Sequence, residues 1–102
     1  MNGNKWADYI ITEVYQDNEK RILLVKIGLD SSNYTIDTKM ETRSYVIDLL
    51  KSGKSVVTSR KISGTYYKGA IVEYYKESNG LEYLRTISNG DVLDNLDNLP
   101  KF

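Results

Sequence analysis

No cysteine and no histidine occur among the 102 residues. The first absence excludes disulfides and thiolate metal sites and leaves the redox compartment unread. The second removes the side chain most used for acid–base work near neutral pH, and the commonest metal ligand. Proline occurs once. Nowhere is there an apolar run long enough to span a bilayer, and the first residues lack the form of a signal peptide. With neither signal nor cysteine, the expected location is the cytoplasm, away from the membrane. Nothing in the sequence points to a cofactor or a metal.

What is present fits an ordinary small domain. Apolar residues make up 40% and charged residues 27%, a globular balance. Tyrosine occurs nine times, which argues against wholesale disorder. The length suits a single domain over 1–102 that buries one core without staples. Formal charge is zero but unevenly spread. Residues 1–50 sum to −2 and residues 71–102 to −3, whereas 51–70 hold Lys51, Lys54, Arg60, Lys61 and Lys68 with no acid. The simpler reading of this block is a mixed surface once the fold brings acidic flanks beside it. The functional reading is a footprint for anions.

Local patterns set the expected elements. "ADYIITEVY" is β-rich, and "RILLVKIGLD" places Leu23, Val25, Ile27 and Leu29 on one face at period two. The polar "QDNEK" between them reads as the turn of an antiparallel hairpin. "YTID" reads as a short third strand or an extended link. "ETRSYVIDLLKSGK" predicts a helix over about 42–52. Thr42 is its N-cap, Gly53 its left-handed stop, and Val46, Leu49 and Leu50 its covering face. "SVVTSRK" predicts a strand and "ISGTYYKG" a loop or a wide hairpin turn. "AIVEYYK" and "LEYLRTI" predict two strands joined at Asn79-Gly80, where both residues tolerate positive φ. The expected fold is α+β, a curved antiparallel sheet of about five strands in the order ββ(β)αβββ under one helix. Its core spans about 7–87, and an ordered C-terminal latch spans 88–102.

Few motifs carry chemistry. "SGKS" at 52–55 does not make a phosphate loop, because Asp48 stands where the first glycine belongs and the helix precedes the loop. In "SNGDVLDNLDNLPKF", Asp91, Asp94 and Asp97 recur every third residue, as do Leu93, Leu96 and Leu99. Calcium loops need alternate ligands and a glycine bend. Period three suits a 3₁₀ or polyproline-like path whose leucines dock and whose Asn and Asp side chains make Asx turns. The doublets Tyr66-Tyr67 and Tyr74-Tyr75 lie in or beside the basic block. One ring of each would be core and the other exposed, and an exposed ring beside Arg60, Lys61 or Lys68 would stack a base or grip a peptide. Arg85 would pin the tail through Asp94 or Asp97, or else present its fork to an anion.

"YLRTISNGDVLDNLDNLPKF", together with "ADYIITEV" and "KSGK", resembles a family of small bacterial proteins known as a domain of unknown function. That family's pattern is Tyr-Ile-Arg-Thr, an Asn/Asp turn, then Asp-Asn-Leu-x-Asn-Leu-Pro-x-Phe. The chain matches it at Tyr83, Arg85, Thr86, Asn89, Asp94, Asn95, Leu96, Asn98, Leu99, Pro100 and Phe102. It departs at Leu84, where Ile is usual, and at Asp97, where Gly is common. The resemblance implies an ordered tail with Leu96, Leu99 and Phe102 as plugs, and implies no reaction.

The sequence therefore favours a non-enzymatic binding or interaction module, of a kind carried by phage or mobile elements. Its candidate ligand-binding residues are Arg60, Lys61, Tyr67, Lys68 and Arg85, with no catalytic or metal-ligating residue. An unidentified protein or a small anionic ligand is the expected partner. The alternative is a nucleic-acid or nucleotide binder using residues 51–70. An enzyme working through Asp/Glu, Tyr or Lys is the least favoured class.

Overall fold

Alternating β-branched and aromatic residues fold here into more strands than their pattern suggests. The computed structural model describes residues 5–30 and 37–102. Its strands are β1 (Tyr9–Gln16), β2 (Ile22–Leu29), β3 (Lys39–Thr42), β4 (Val56–Ile62), β5 (Thr65–Lys76) and β6 (Glu82–Thr86). One helix, α1 (Arg43–Lys51), follows β3, and two 3₁₀ turns, Val92–Asp94 and Leu96–Asn98, follow β6. The six strands form one sheet in the order β3-β2-β1-β4-β5-β6. The α+β class holds, but the sheet is mixed, not antiparallel throughout, because β1 and β4 run parallel at its centre. The third strand expected at 34–37 lies, Asp37 apart, outside the described residues, and β3 forms later, directly before the helix.

Two local rules were misplaced along the chain. The segment expected as a loop or a wide hairpin turn at 62–69 is a hairpin, but a tight one, in which Ile62 pairs with Thr65. Ser63 and Gly64 both have positive φ, the condition for a type I′ turn. At Asn79-Gly80 only Gly80 has positive φ. Glu77 N–H bonds Leu81 O and Gly80 N–H bonds Glu77 O, a type I turn closed by a left-handed residue.

Bulges decide what is buried. The register of β1 and β2 slips between Ile11 and Glu13 and again between Tyr15 and Gln16. A slip turns successive side chains back to the same face. Ile11, Val14, Ile22, Val25 and Ile27 thus share one core and Leu23 is turned out, while Leu29 keeps the phase of Val25 and Ile27 yet is exposed at the strand's end. Ala7, Ile10 and Val57 form a smaller cluster with Trp6.

The helix has the ends its sequence demands. Thr42 Oγ1 accepts from Tyr45 N–H at 3.2 Å. Gly53 takes φ +90°, and Gly53 and Lys54 N–H bond Leu50 O and Leu49 O, a Schellman ending. Its buried side chains are Val46 and Ile47. Leu49 and Leu50, expected as the covering face, are only partly buried against that core.

The tail completes the core. Leu96 and Leu99 are buried among the residues of the main cluster. Leu93 is 52% exposed and falls off the leucine stripe. β1 pairs with β4 only over Tyr9 to Ile11, and its edge beyond that point takes the tail. Val14 N–H bonds Pro100 O at 3.0 Å, and Phe102 N–H bonds Val14 O at 3.1 Å. The Phe102 ring sits 6.3 Å from Tyr15.

Candidate functional site

The candidate residues fall in two places. Lys61, Tyr67 and Lys68 lie on the β4–β5 hairpin, a ribbon closed by its two-residue turn. Arg60 faces Tyr67 and Lys61 faces Tyr66 across the ladder, with Lys68 opposite Ser59. Neighbours on a strand point to opposite faces. Arg60, Ile62, Thr65 and Tyr67 therefore share one face, and Lys61, Tyr66 and Lys68 the other. Tyr67 is 52% exposed, and Lys61, Ile62 and Lys68 are exposed too. Lys61 Nζ stands 5.4 Å from the Tyr66 ring centroid. Among the described residues, neither Lys61 nor Lys68 meets a carboxylate at ion-pair distance.

Two other members of the basic block are spoken for. Lys51 Nζ meets Glu82 Oε1 at 2.7 Å. Arg60 is the tie to the tail, with Nε at 2.7 Å from Asp94 Oδ1 and Nη2 at 2.8 Å from Asp91 Oδ2. The bond to Asp94 raises the Arg60 pKa further above its ordinary value, against the pull of burial. Burial pushes the Asp94 carboxyl up, but its bonds to Arg60 and Asn89 outweigh that and hold it below the ordinary range. Arg85, expected to pin the tail or else to present its fork to an anion, does not reach the tail's acids. Arg85 Nε meets Glu73 Oε2 at 2.5 Å, and its guanidinium lies 4.7 Å from the Tyr75 ring. Arg85 stands on an outer strand, facing Glu73 in the register, whereas the inner end of β4 passes beside Asp94.

A bulge prepares that junction. Between Val57 and Ser59 the register with β5 shifts, and Thr58 Oγ1 accepts from Ala70 N–H at 2.9 Å and donates to Asp94 O at 2.7 Å. Only glycine fits opposite. A Cβ on Gly69 would stand 2.2 Å from Thr58 Oγ1 and 2.7 Å from Thr58 O. Asn89 and Asp91 serve local turns, as the sequence predicts, whereas Asp97 is held by a distant strand. Asp91 N–H bonds Asn89 Oδ1, Leu93 N–H bonds Asp91 Oδ1, and Gln16 Nε2 donates to Asp97 Oδ1. Among the described residues no three His, Cys, Asp or Glu side chains cluster as a metal site would need.

Arg85 belongs to the second place, a cleft of about 420 Å³ lined by residues 19–22, 75, 83–86 and 95–97. It lies where the sheet curls but does not close. Arg21, at the foot of β2, reaches Glu77 at 3.0 Å and lies 4.2 Å over the Tyr83 ring of β6. Arg43 stands 4.7 Å from the same ring. Sequence reasoning did not find this cleft, because its banks come from segments far apart in the chain.

These features define a small α+β domain with a mixed, curled sheet and a C-terminal segment packed into its core. The chain belongs to the family described as "Protein of unknown function (DUF3892)", whose model matches residues 10–100. No curated protein and no solved structure matches it.

Proposed function

We propose that the protein is a non-enzymatic binding module that presents its β4–β5 hairpin to an acidic partner. One observation carries this reading: among the described residues, Lys61 and Lys68 remain without carboxylate partners on a ribbon that also exposes Ile62 and Tyr67. By contrast, Lys5, Arg21, Lys39, Lys51, Arg60 and Arg85 are each paired with a carboxylate. The perturbed groups argue the same way. Asp94 and Asp8 are lowered, and Lys39, Lys51, Arg21 and Arg60 raised. Each of these shifts favours the charged form, whereas a general acid or base is tuned toward neutrality.

A single-stranded nucleic acid is the second reading, favoured by Tyr66 and Tyr67 on opposite faces of the ribbon with Lys61 against one of them. Bases stack on such rings while lysines follow the phosphates. NMR titration at low salt with a Glu-rich peptide and with an oligothymidylate tests both. Shifts at Lys61, Tyr66, Tyr67 and Lys68 that weaken steeply with salt are expected, and whichever probe binds more tightly identifies the partner class. Absence of shifts over residues 59–70 with both probes would refute the reading.

A further inference from the structure

The two three-residue hairpin turns of this protein have one geometry and different left-handed residues. In the β5–β6 turn, Glu77 N–H bonds Leu81 O, Gly80 N–H bonds Glu77 O, and Gly80 has φ +84°. In the β1–β2 turn, Asp17 N–H bonds Arg21 O, Lys20 N–H bonds Asp17 O, and Lys20 has φ +64°. Glycine takes that conformation freely, and a lysine there is strained. Strain of this kind persists where the side chain is put to use. Lys20 lines the cleft between β2 and β6, and no described carboxylate lies within ion-pair distance of its ammonium.

The opposite bank offers hydrogen bonds. Ile87 N–H bonds Ile71 O and Glu77 N–H bonds Leu81 O. With the β5–β6 register, the odd-numbered residues of β6 bond β5. The N–H and C=O of Leu84 and Thr86 therefore point away from the ladder, on the side where β6 has no neighbouring strand. Leu84 is itself buried, and both residues line the cleft. The charge balance defines the guest. Arg21 and Arg85 are already paired with Glu77 and Glu73, so the cation left to meet a guest is Lys20, with a single positive charge.

We propose that this cleft is a binding site for a monovalent carboxylate, held between the Lys20 ammonium and the outward N–H groups of β6. The site is separate from the hairpin surface proposed above. A planar carboxylate accepts in-plane bonds from a strand edge and matches the single charge of Lys20, whereas a phosphate dianion would overshoot it. Such a carboxylate is supplied by a free organic acid or by the C-terminus of an extended peptide.

Calorimetry and NMR with the full chain separate these cases, using benzoate, a short N-acetylated peptide acid, the same peptide as its amide, and inorganic phosphate. Shifts at residues 19–22 and 84–86 are expected with a carboxylate. Binding of the peptide acid and not the amide identifies a chain terminus, and preference for benzoate a free acid. Lys20→Gly relieves the backbone, so its fold is secure, and it should weaken binding roughly tenfold or more, as losing a charge-assisted bond does. Lys20→Arg should retain binding. Unchanged affinity in Lys20→Gly, no response to any carboxylate, or phosphate binding as tightly as carboxylate would each overturn the proposal.

Discussion

Gly69 and Thr58 touch so closely that one methyl group decides the junction. In Gly69→Ala the new Cβ meets Thr58 backbone as well as its hydroxyl, and neither strand yields without breaking the bulge. The expected loss is about 1–3 kcal/mol by denaturant titration, the range for overpacking. Asp94 gives a prediction in acid. Its carboxyl titrates below the ordinary value of 3.8 because Arg60 and Asn89 favour the charged form against burial. A lowered carboxyl adds stability that is complete above the unfolded value and disappears as pH falls through the folded one. Thermal melts from pH 6 to pH 2 should therefore show Asp94→Asn less stable at the upper end and converging on the parent protein at the lower. Parallel curves would show that the pair contributes nothing. The sequence raises an arginine as one partner for the tail's acids and Asx turns for its Asn and Asp side chains. It pointed to the wrong arginine, because Arg85 is near in sequence and Arg60 is near only after β4 crosses the sheet.

Elements with a strong local signal were legible. The helix begins at its Thr42 cap and stops at Gly53, since caps depend on a few adjacent residues. Its buried face was less legible. Val46 and Ile47 point inward because the sheet curls around both, a tertiary fact that period 3.6 does not hold. Ile47→Ala should cost about 2–5 kcal/mol and Leu49→Ala clearly less. Equal losses would place the helix axis differently. The strands were found at both ends of the chain, but the bulges in β1 and β2 hide from a period-two reading. The tail is the element whose sequence said most about its role. Leu99→Ala should cost about 2–5 kcal/mol, as in any packed core. Removing residues 100–102 strips the acceptor from Val14 N–H, and amide exchange there should quicken while the far end of β1, paired with β4 at Tyr9–Ile11, keeps its protection.

Across the whole molecule, the parallel pairing of β1 with β4 could not be read from the chain. Two strands separated by a hairpin, a third strand and a helix give no local clue to which edge they share. The cleft was hidden for the same reason. Such non-local pairing also slows folding, since loop closure precedes the contacts that reward it. Refolding followed by tryptophan fluorescence should take milliseconds to seconds, and a microsecond phase accounting for the whole signal would contradict this topology. Leu96 and Leu99 fill the same core as Ile11 and Val14, so a nascent chain that has emerged only through β6 exposes a sheet with its interior unfilled and part of the β1 edge unpaired. Until the final leucines leave the ribosome, that chain is open to chaperones and to its neighbours on the same messenger.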